Sequence, residues 1–217
     1  MPPRTFSLQT LERLPYYLDF LKSIDCDDVS AAAIAENFDL SDVQVRKDIA
    51  AVSSEAGRPR VGFNRRALIR DIEEVLGYRH INEAVIVGVG HLGTALINYK
   101  GFAQYGMKIV AGFDVKVDHE TWIGDTPVFA ADRMIPLIRR LNVQMGIIAV
   151  NADAAQSVCD RLIDAGIECI WNFAPVMLDT PEHIIVQNEN MASSLAVLSH
   201  HLRNKRGNGS SAPRSHT

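Results

Sequence analysis

The chain has few cysteines, no long hydrophobic run and no excess of positive charge. Its three cysteines, Cys26, Cys159 and Cys169, are scattered and lack metal-ligand spacing, which argues against a disulfide framework or a metal site. No apolar run approaches the ~20 residues that cross a bilayer, and the N-terminal segment is amphipathic, so we expect a cytoplasmic protein without metal or membrane partners. With 22 basic and 26 acidic residues, attraction to nucleic acid requires local clusters.

The segment 84–96 has the glycine spacing of a dinucleotide-binding turn. Gly88, Gly90 and Gly93 follow an apolar run and precede a helical pattern, with Val89, His91 and Leu92 between them. The first glycine permits a tight turn, the second lets a pyrophosphate approach, and the third lets the helix pack close to the strand. The N-terminus of the helix offers N–H groups to the phosphates.

Asp114 ends a second apolar run, 21 residues after Gly93. A carboxylate at this distance accepts hydrogen bonds from both ribose hydroxyls and repels the extra phosphate of NADP. The glycine turn and this acid together predict NAD(H) as the ligand.

Short apolar segments alternate with helical patterns from residue 83 to residue 187. The pattern predicts strands over 83–87, 108–113, 145–150, 168–172 and 184–187, and helices over 92–105, 132–141 and 152–165. This alternation is typical of a parallel sheet with helices on both faces. We therefore assign residues 81–188 to a Rossmann-like α/β domain.

Residues 1–80 have a different organisation. Helical spacing predicts helices over 8–24, 30–38, 41–52 and 64–77, with Ser30 and Ser41 as N-caps and Pro15 as a kink or a boundary. The stretch 53–63 is rich in Gly, Pro and Arg, which favours a short β-ribbon. Three short helices followed by a ribbon predict a winged helix-turn-helix domain.

The third helix of this domain has the features of a DNA-reading helix. Val45 and Ile49 face the core at i, i+4, which leaves the other face for bases and phosphates. The predicted DNA contacts are Ser41, Gln44, Arg46 and Lys47 on the helix and Arg58 and Arg60 in the wing. The alternative is a plain helical bundle with solvated charges.

The end of the chain contains one more amphipathic helix, over 189–205. Its apolar stripe is formed by Met191, Leu195, Leu198 and Leu202. We expect this stripe to pack on a neighbouring subunit. Residues 206–217 contain no acid and have a low-complexity composition, which predicts disorder.

The two halves together resemble the Rex family of redox-sensing transcriptional repressors over about residues 7–202. The matching segments are 13–17, 45–48, 87–93, 98–102, 113–114 and above all 171–176, which reads Trp-Asn-Phe-Ala-Pro-Val. The resemblance implies a homodimer with a swapped C-terminal helix. It also implies repression of operator DNA at a low NADH/NAD⁺ ratio and release of the DNA when NADH binds.

The resemblance also implies individual site residues. Those for the cofactor beyond the glycine turn are Val115, Val150, Asn151, Asn172, Phe173, Ala174 and Pro175. Those for the switch are Arg13, Tyr99 and the position of Asn190.

This sequence departs from the family pattern at four places. His91 replaces an asparagine and is expected to face solvent, Asn151 replaces a proline, and residues 51–56 replace an aromatic, glycine-containing stretch. Asn190 stands where the family has an aspartate that exchanges partners between the equivalents of Tyr99 and Arg13. The missing charge predicts weak or altered redox control.

Two other classes of protein compete with a repressor. A nicotinamide-dependent oxidoreductase needs a proton donor near the nicotinamide, and no Tyr-x-x-x-Lys or paired His/Asp arrangement is suitably placed, so we expect no enzyme. A sensor of another adenine ligand, such as coenzyme A, is the second alternative. Asp114 favours a ribose with both hydroxyls free, which coenzyme A lacks.

Overall fold

The computed structural model describes residues 6–80, 82–189 and 191–208. The chain forms two compact units, of which one contains the chain up to residue 81 together with 103–106 and the other contains the rest. Each unit has its own hydrophobic core, as separate domains require. Among the described residues, no helix is both long and apolar enough to span a bilayer.

The first unit is a small helical domain with a two-stranded ribbon. Its elements are α1 (Leu8–Ser23), β1 (Asp28–Val29), α2 (Ala31–Phe38), α3 (Asp42–Val52), β2 (Phe63–Asn64) and α4 (Arg65–Val75). The hydroxyl of Ser30 accepts a hydrogen bond from the Ala33 N–H, and that of Ser41 accepts one from the Gln44 N–H, each at 3.1 Å. Both predicted N-caps are therefore confirmed.

Helix α1 continues through Pro15 as a single helix, without the predicted boundary. Proline removes one helical hydrogen bond, but Leu14, Tyr17 and Leu18 on either side of it are at most 1% exposed. Burial of such side chains is worth about 1.5–3 kcal/mol each, which outweighs the lost bond.

The predicted ribbon forms, but its strand pairing involves a distant segment. Strand β2 pairs antiparallel with β1, so that Phe63 lies opposite Val29. The hairpin before β2 is closed by a bridge between Arg58 and Gly62. Gly62 has φ +107°, and a Cβ there would lie 2.3 Å from the Val29 carbonyl oxygen, so only glycine lets the hairpin approach β1.

The second unit is an α/β domain with helices on both faces of its sheet. Its elements are β3 (Asn82–Val87), α5 (His91–Ile97), β4 (Met107–Asp114), β5 (Thr121–Ile123), β6 (Thr126–Ala130), α6 (Met134–Leu141), β7 (Met145–Ile148), α7 (Ala152–Asp164), β8 (Cys169–Asn172), β9 (Ile185–Asn188) and α8 (Met191–Asn208). In the described residues the sheet has seven strands in the order β5-β6-β4-β3-β7-β8-β9, and β5 is antiparallel to β6. The remaining neighbours are parallel, which agrees with the predicted Rossmann-like class.

Three local predictions in this domain were wrong. Strands β5 and β6 were not predicted, because each is short and Gly124 and Pro127 obscure the pattern. The predicted helix over 92–105 ends at Ile97 and is followed by a 3-10 helix over Lys100–Tyr105. The predicted strand over 145–150 ends at Ile148.

Two exposed apolar features mark the surface of this domain. Helix α8 leaves Leu195, Leu198 and Leu202 between 57% and 64% exposed. Trp122, on the β5–β6 hairpin, is 60% exposed. The helix predicted near the end of the chain is therefore present, and it extends to Asn208, into the segment predicted to be disordered. The rest of that segment, 209–217, lies outside the described residues. Within the described part of the chain, the three leucines remain largely exposed.

Candidate dinucleotide site and DNA-reading surface

The turn between β3 and α5 depends on its glycines in three different ways. Gly88 has φ +93°, and a Cβ there would lie 2.5 Å from the Ala149 carbonyl oxygen. A Cβ on Gly93 would lie 2.0 Å from the carbonyl oxygen of Gly88, so this glycine brings the helix against the turn. A Cβ on Gly90 would meet no protein atom within 4 Å, which leaves open space for a ligand above it.

A cavity of about 260 Å³ lies beside this turn, at the carboxyl ends of β3, β4 and β7. It is lined by Val87, Gly88, Gly90, Asp114, Val115, Lys116, Ala131, Ala149, Val150, Asn151, Ala154, Val158 and Arg161. Six predicted cofactor residues are in this list, and the carboxyl edge is where parallel sheets bind nucleotides. Val89 belongs to the turn itself, His91 and Leu92 begin helix α5, and His91 is exposed as expected.

Asp114 is held by the backbone around it. Its Oδ2 accepts a hydrogen bond from the Val89 N–H at 2.7 Å, and its Oδ1 accepts one from the Lys116 N–H at 2.9 Å. Each carboxylate oxygen retains acceptor capacity for a ribose hydroxyl. The carboxylate therefore joins the glycine turn to the end of β4.

The Asp114 carboxylate leads to a prediction about cofactor choice. Asp114→Ala should weaken NADH binding by about 1–3 kcal/mol, because it removes charged hydrogen bonds, and should narrow the preference for NADH over NADPH. Calorimetric titration of both dinucleotides measures this, with the exposed Asp118→Ala as the matched control. Equal affinity of the unmodified protein for NADPH and NADH would contradict the role assigned to Asp114.

The loop after β8 is shaped by a buried asparagine. Asn172 is 0% exposed. Its side-chain nitrogen donates to the backbone carbonyl oxygen of Val176 and to Oδ1 of Asn188, at 2.8 Å each. Its own Oδ1 accepts a hydrogen bond from the Ala174 N–H at 3.0 Å. Because these bonds use its amide group, we expect Asn172 to position the loop that contains Phe173 and Pro175. Direct contact of this loop with the cofactor stays a prediction.

A series of aromatic rings extends from this loop to Tyr99. Phe173 lies 4.8 Å from Trp171, Trp171 lies 5.7 Å from Phe102, and Phe102 lies 4.9 Å from Tyr99, measured between ring centroids. The Trp171 indole N–H donates to Glu189 at 2.9 Å. The predicted switch residue Tyr99 is thus joined to Phe173 through packed rings.

The predicted DNA contacts lie on α3 and on the hairpin before β2. Lys47 is exposed, Arg46 forms an exposed ion pair with Asp42 at 2.9 Å, and Arg58 pairs with Asp28. Arg60 has φ +64° at the tip of the hairpin. Arg46, Arg58 and Arg60 line one groove of about 370 Å³ between α3 and the hairpin, so three of the predicted DNA contacts lie together. Contact of these arginines with DNA phosphates stays a prediction. Ser41 caps α3, as described above.

Replacement of the exposed lysine tests this surface. Lys47→Ala should weaken binding to all duplexes about equally and reduce the slope of log affinity against log salt by about one, because one phosphate contact is lost. A gel-shift titration at several salt concentrations measures both quantities. Lys108→Ala, at an exposed lysine of the second unit, is the control. An unchanged slope in Lys47→Ala would remove Lys47 from the DNA interface.

The burial of one carboxylate of α3, that of Asp48, was not predicted. Asp48 is 2% exposed and accepts hydrogen bonds from Thr10, Arg13, Tyr17 and Gln44. Burial alone would raise the pKa of Asp48, but these hydrogen bonds together lower it. Burial and the bond to Asp48 raise the pKa of Tyr17 to about 12. A signal was available in the sequence, since Asp48 follows Val45 by three residues and lies on the buried face of α3.

This cluster changes the interpretation of two predicted residues. Arg13 binds Asp48 through Nε at 2.7 Å and through Nη2 at 2.9 Å, so within its own unit it fixes α1 to α3. Gln44 donates to Asp48 at 3.1 Å, so its amide is engaged in the fold. Asn190, the third predicted switch residue, lies outside the described residues. Among the described residues, no group of three or more His, Cys, Asp or Glu side chains is arranged to hold a metal ion.

Two family models match the chain, one to each unit. Residues 6–50 match a "Putative DNA-binding protein N-terminus", and residues 80–176 match a "CoA binding domain". A winged-helix domain joined to a dinucleotide-type domain defines a class, the DNA-binding regulators that respond to a nucleotide.

Similar proteins of known name narrow this class. The redox-sensing transcriptional repressor Rex of Porphyromonas gingivalis is 39% identical over 193 residues, which cover 87% of this chain and 88% of the relative. Rex of Pelotomaculum thermopropionicum is 39% identical over 202 residues, which cover 90% and 93%. The chain belongs to the Rex family of redox-sensing transcriptional repressors.

Solved structures agree with this assignment. A Rex-family repressor, RSP, in complex with β-NAD⁺ and operator DNA superposes with a TM-score of 0.86 at 28% identity, and covers 97% of this chain and 100% of its own. RSP in complex with β-NADH gives a TM-score of 0.82, also at 28% identity, with coverage of 94% and 97%.

Proposed function

We propose that this protein represses transcription by binding operator DNA through α3 and the wing, and that it releases the DNA when NADH occupies the cavity beside Gly90. The main observation behind this proposal is the position of Asp114. Its carboxylate lies in the wall of that cavity and accepts hydrogen bonds from the Val89 and Lys116 N–H groups. The complexes of RSP with NAD⁺ and operator DNA and with NADH support it. The relatives are named as repressors, and we propose regulation in the cytoplasm rather than catalysis.

The residues of this chain fit NAD(H) at the cavity. Open space above Gly90 accommodates a pyrophosphate, and Asp114 has acceptor capacity for the adenosine ribose. The nicotinamide ring is positively charged in NAD⁺ and neutral in NADH, which is the chemical difference to be sensed. We propose that Phe173 lies nearest the nicotinamide ring. We propose also that a displacement of Phe173 is transmitted through the rings of Trp171 and Phe102 to Tyr99.

We further propose that the protein is a homodimer with its last helix packed on the partner. Helix α8 exposes a leucine stripe, and the sheet of the second unit has an apolar cavity of about 400 Å³ that Met107, Met145, Trp171 and Ile185 help to line. Each is a surface that an apolar helix-to-sheet contact would cover. Exchange of the helix between subunits remains part of this proposal.

A gel-shift experiment tests the function as a whole. The protein should shift an operator-like duplex selected from random DNA, keep it bound in the presence of NAD⁺, and release it in the presence of NADH. A duplex that is never shifted would refute the repressor, and retention of the duplex at saturating NADH would refute the redox response. The same experiment with Asn190→Asp tests the predicted weakening of redox control. The substitution should widen the difference in operator affinity between the protein with NADH and the protein with NAD⁺.

A further inference from the structure

The cavity beside Asp114 has two chemically different ends. Gly88, Gly90 and Asn151 line the end next to the glycine turn, where a pyrophosphate would lie. The other end lies beyond Asp114 and is walled by apolar side chains, those of Val115, Ala131, Ala154 and Val158. Because the adenosine ribose binds the carboxylate, the base of the nucleotide must extend toward this apolar end.

One charged side chain reaches this apolar end from helix α7. Ala154, Val158 and Arg161 follow one another at helical spacing of four and three residues and all line the cavity. The Arg161 side chain is partly buried, and its Nη2 donates to the Ala131 carbonyl oxygen at 2.6 Å. This hydrogen bond fixes the guanidinium in the wall of the cavity.

The charge of Arg161 has no carboxylate partner among the residues that the structure describes. Within the described part of the chain, Arg161 forms no ion pair with a carboxylate, although Arg13, Arg46 and Arg58 each do. A guanidinium has five N–H donors and a planar face that stacks on aromatic rings. One donor is engaged with Ala131, so the remaining donors and the planar face are available to a ligand.

We infer that Arg161 holds the adenine base of the nucleotide and so determines the absolute affinity for NAD(H); the inference rests on the proposed function of the cavity. Adenine has ring nitrogens that accept hydrogen bonds in the plane of the ring and a face that attracts a cation, and a guanidinium can bind the base in either of these two ways. The apolar side chains of Val115, Ala154 and Val158 bury the rest of the ring.

This assignment has a consequence for redox sensing. The adenine end of the molecule is identical in NAD⁺ and NADH, so Arg161 stabilises both bound forms equally. An interaction that is equal in two states cannot shift the balance between them. Arg161 therefore sets the concentration of total dinucleotide at which the protein is occupied, and leaves the response to the NADH/NAD⁺ ratio to the nicotinamide end.

Substitution of Arg161 tests the inference with ADP as the key probe. ADP contains the adenosine and pyrophosphate and lacks the nicotinamide, so it reports on this end alone. Arg161→Met keeps the length of the side chain and removes its donors. It should weaken the binding of ADP, NAD⁺ and NADH by a common factor of about ten to a hundred, measured by calorimetry on the full chain.

The chain offers a matched control. Arg139 on α6 also donates a guanidinium N–H to a backbone carbonyl, that of Asp164 at 2.7 Å, but it is exposed and does not line the cavity. Arg139→Met should leave all three affinities unchanged. Arg161→Lys retains the charge without the planar fork and should give intermediate affinities.

The outcomes separate the inference from the proposed function. Unchanged ADP and NADH affinities in Arg161→Met, or weakening of NADH binding without weakening of ADP binding, would overturn the role of Arg161. Weakened affinity that merely follows a loss of folded protein, seen as a lower melting temperature than that of Arg139→Met, would overturn it as well. Failure of the unmodified protein to bind NADH would refute the proposed function itself.

Discussion

Replacement of Gly90 by alanine is expected to leave the fold intact and to produce a repressor that no longer responds to NADH. The φ of Gly90 is −73°, and a Cβ there meets no protein atom within 4 Å, so the folded protein accepts the methyl group without strain. The same methyl group occupies the space through which a pyrophosphate must approach the backbone. We expect the affinity for NADH to fall by a factor of about 5 to 150, as a steric overlap of about 1–3 kcal/mol implies.

A neighbouring glycine provides the contrast. Gly93→Ala places its Cβ 2.0 Å from the carbonyl oxygen of Gly88, so the helix must move away from the turn. This variant should lose both stability and nucleotide binding. Gly90→Ala should instead keep the melting temperature of the unmodified protein and should remain on the operator at an NADH concentration that just saturates the unmodified protein. Normal NADH affinity in Gly90→Ala would show that the pyrophosphate does not lie over this residue.

Removal of the Asp48 carboxylate should have the largest effect on the DNA-binding domain. Asp48→Ala leaves a buried tyrosine hydroxyl and a partly buried guanidinium without their acceptor. Loss of one partner of a buried charge pair typically destabilises by about 3–5 kcal/mol, which is a large share of the stability of a small domain. We expect Asp48→Ala to abolish operator binding because α3 loses its attachment to α1.

Three measurements check this expectation. Far-ultraviolet circular dichroism should show reduced helix content or an earlier melting transition, gel shift should show no complex, and calorimetry should show that the second unit still binds NADH. The control is Glu73→Gln, which breaks the partly exposed ion pair with Lys22 and should change stability by about 1 kcal/mol at most. Operator binding equal to that of the unmodified protein would contradict the structural role of Asp48.

The pH dependence of stability follows from the same carboxylate. The pKa of Asp48 in the folded state is lower than its value of about 4 in an unfolded chain. Its contribution is therefore fully present above pH 4 and is lost as the pH falls through the lower, folded pKa. The variant Asp48→Asn lacks the charge. The difference in free energy of unfolding between Asp48→Asn and the unmodified protein should therefore decrease as the pH falls below about 4.

The part of the site that sequence reasoning found is the part set by backbone geometry. A turn that needs glycine at 88, 90 and 93 and an acid at the end of the next strand has few alternatives, so the pattern is specific. The adenine end was not found, because Val158 and Arg161 look like ordinary members of an amphipathic helix. Their proposed role depends on the packing of α7 against β7 and α6, which a local sequence pattern does not show.

The same limit applies to the DNA-binding domain. The caps Ser30 and Ser41 act on residues three positions away, and the sequence predicted both. Asp48 acts on Arg13 and Tyr17, which lie 35 and 31 residues away in the chain. A charged residue on the buried face of a helix indicates that it has a partner, but only the tertiary structure identifies that partner.

The placement of the two tryptophans gives the molecule a built-in optical label. Trp122 and Trp171 both belong to the nucleotide-binding unit, so indole emission reports on that unit alone and the DNA-binding unit is silent. Trp171 contacts Phe173 and Glu189. Trp122 lies on an exposed hairpin, so its fluorescence is a background that does not depend on this contact. Reduced nicotinamide absorbs in the range where indole emits, and the oxidised form does not. In a variant without Trp122, the fluorescence of Trp171 should therefore decrease when NADH binds and should not decrease in this way when NAD⁺ binds.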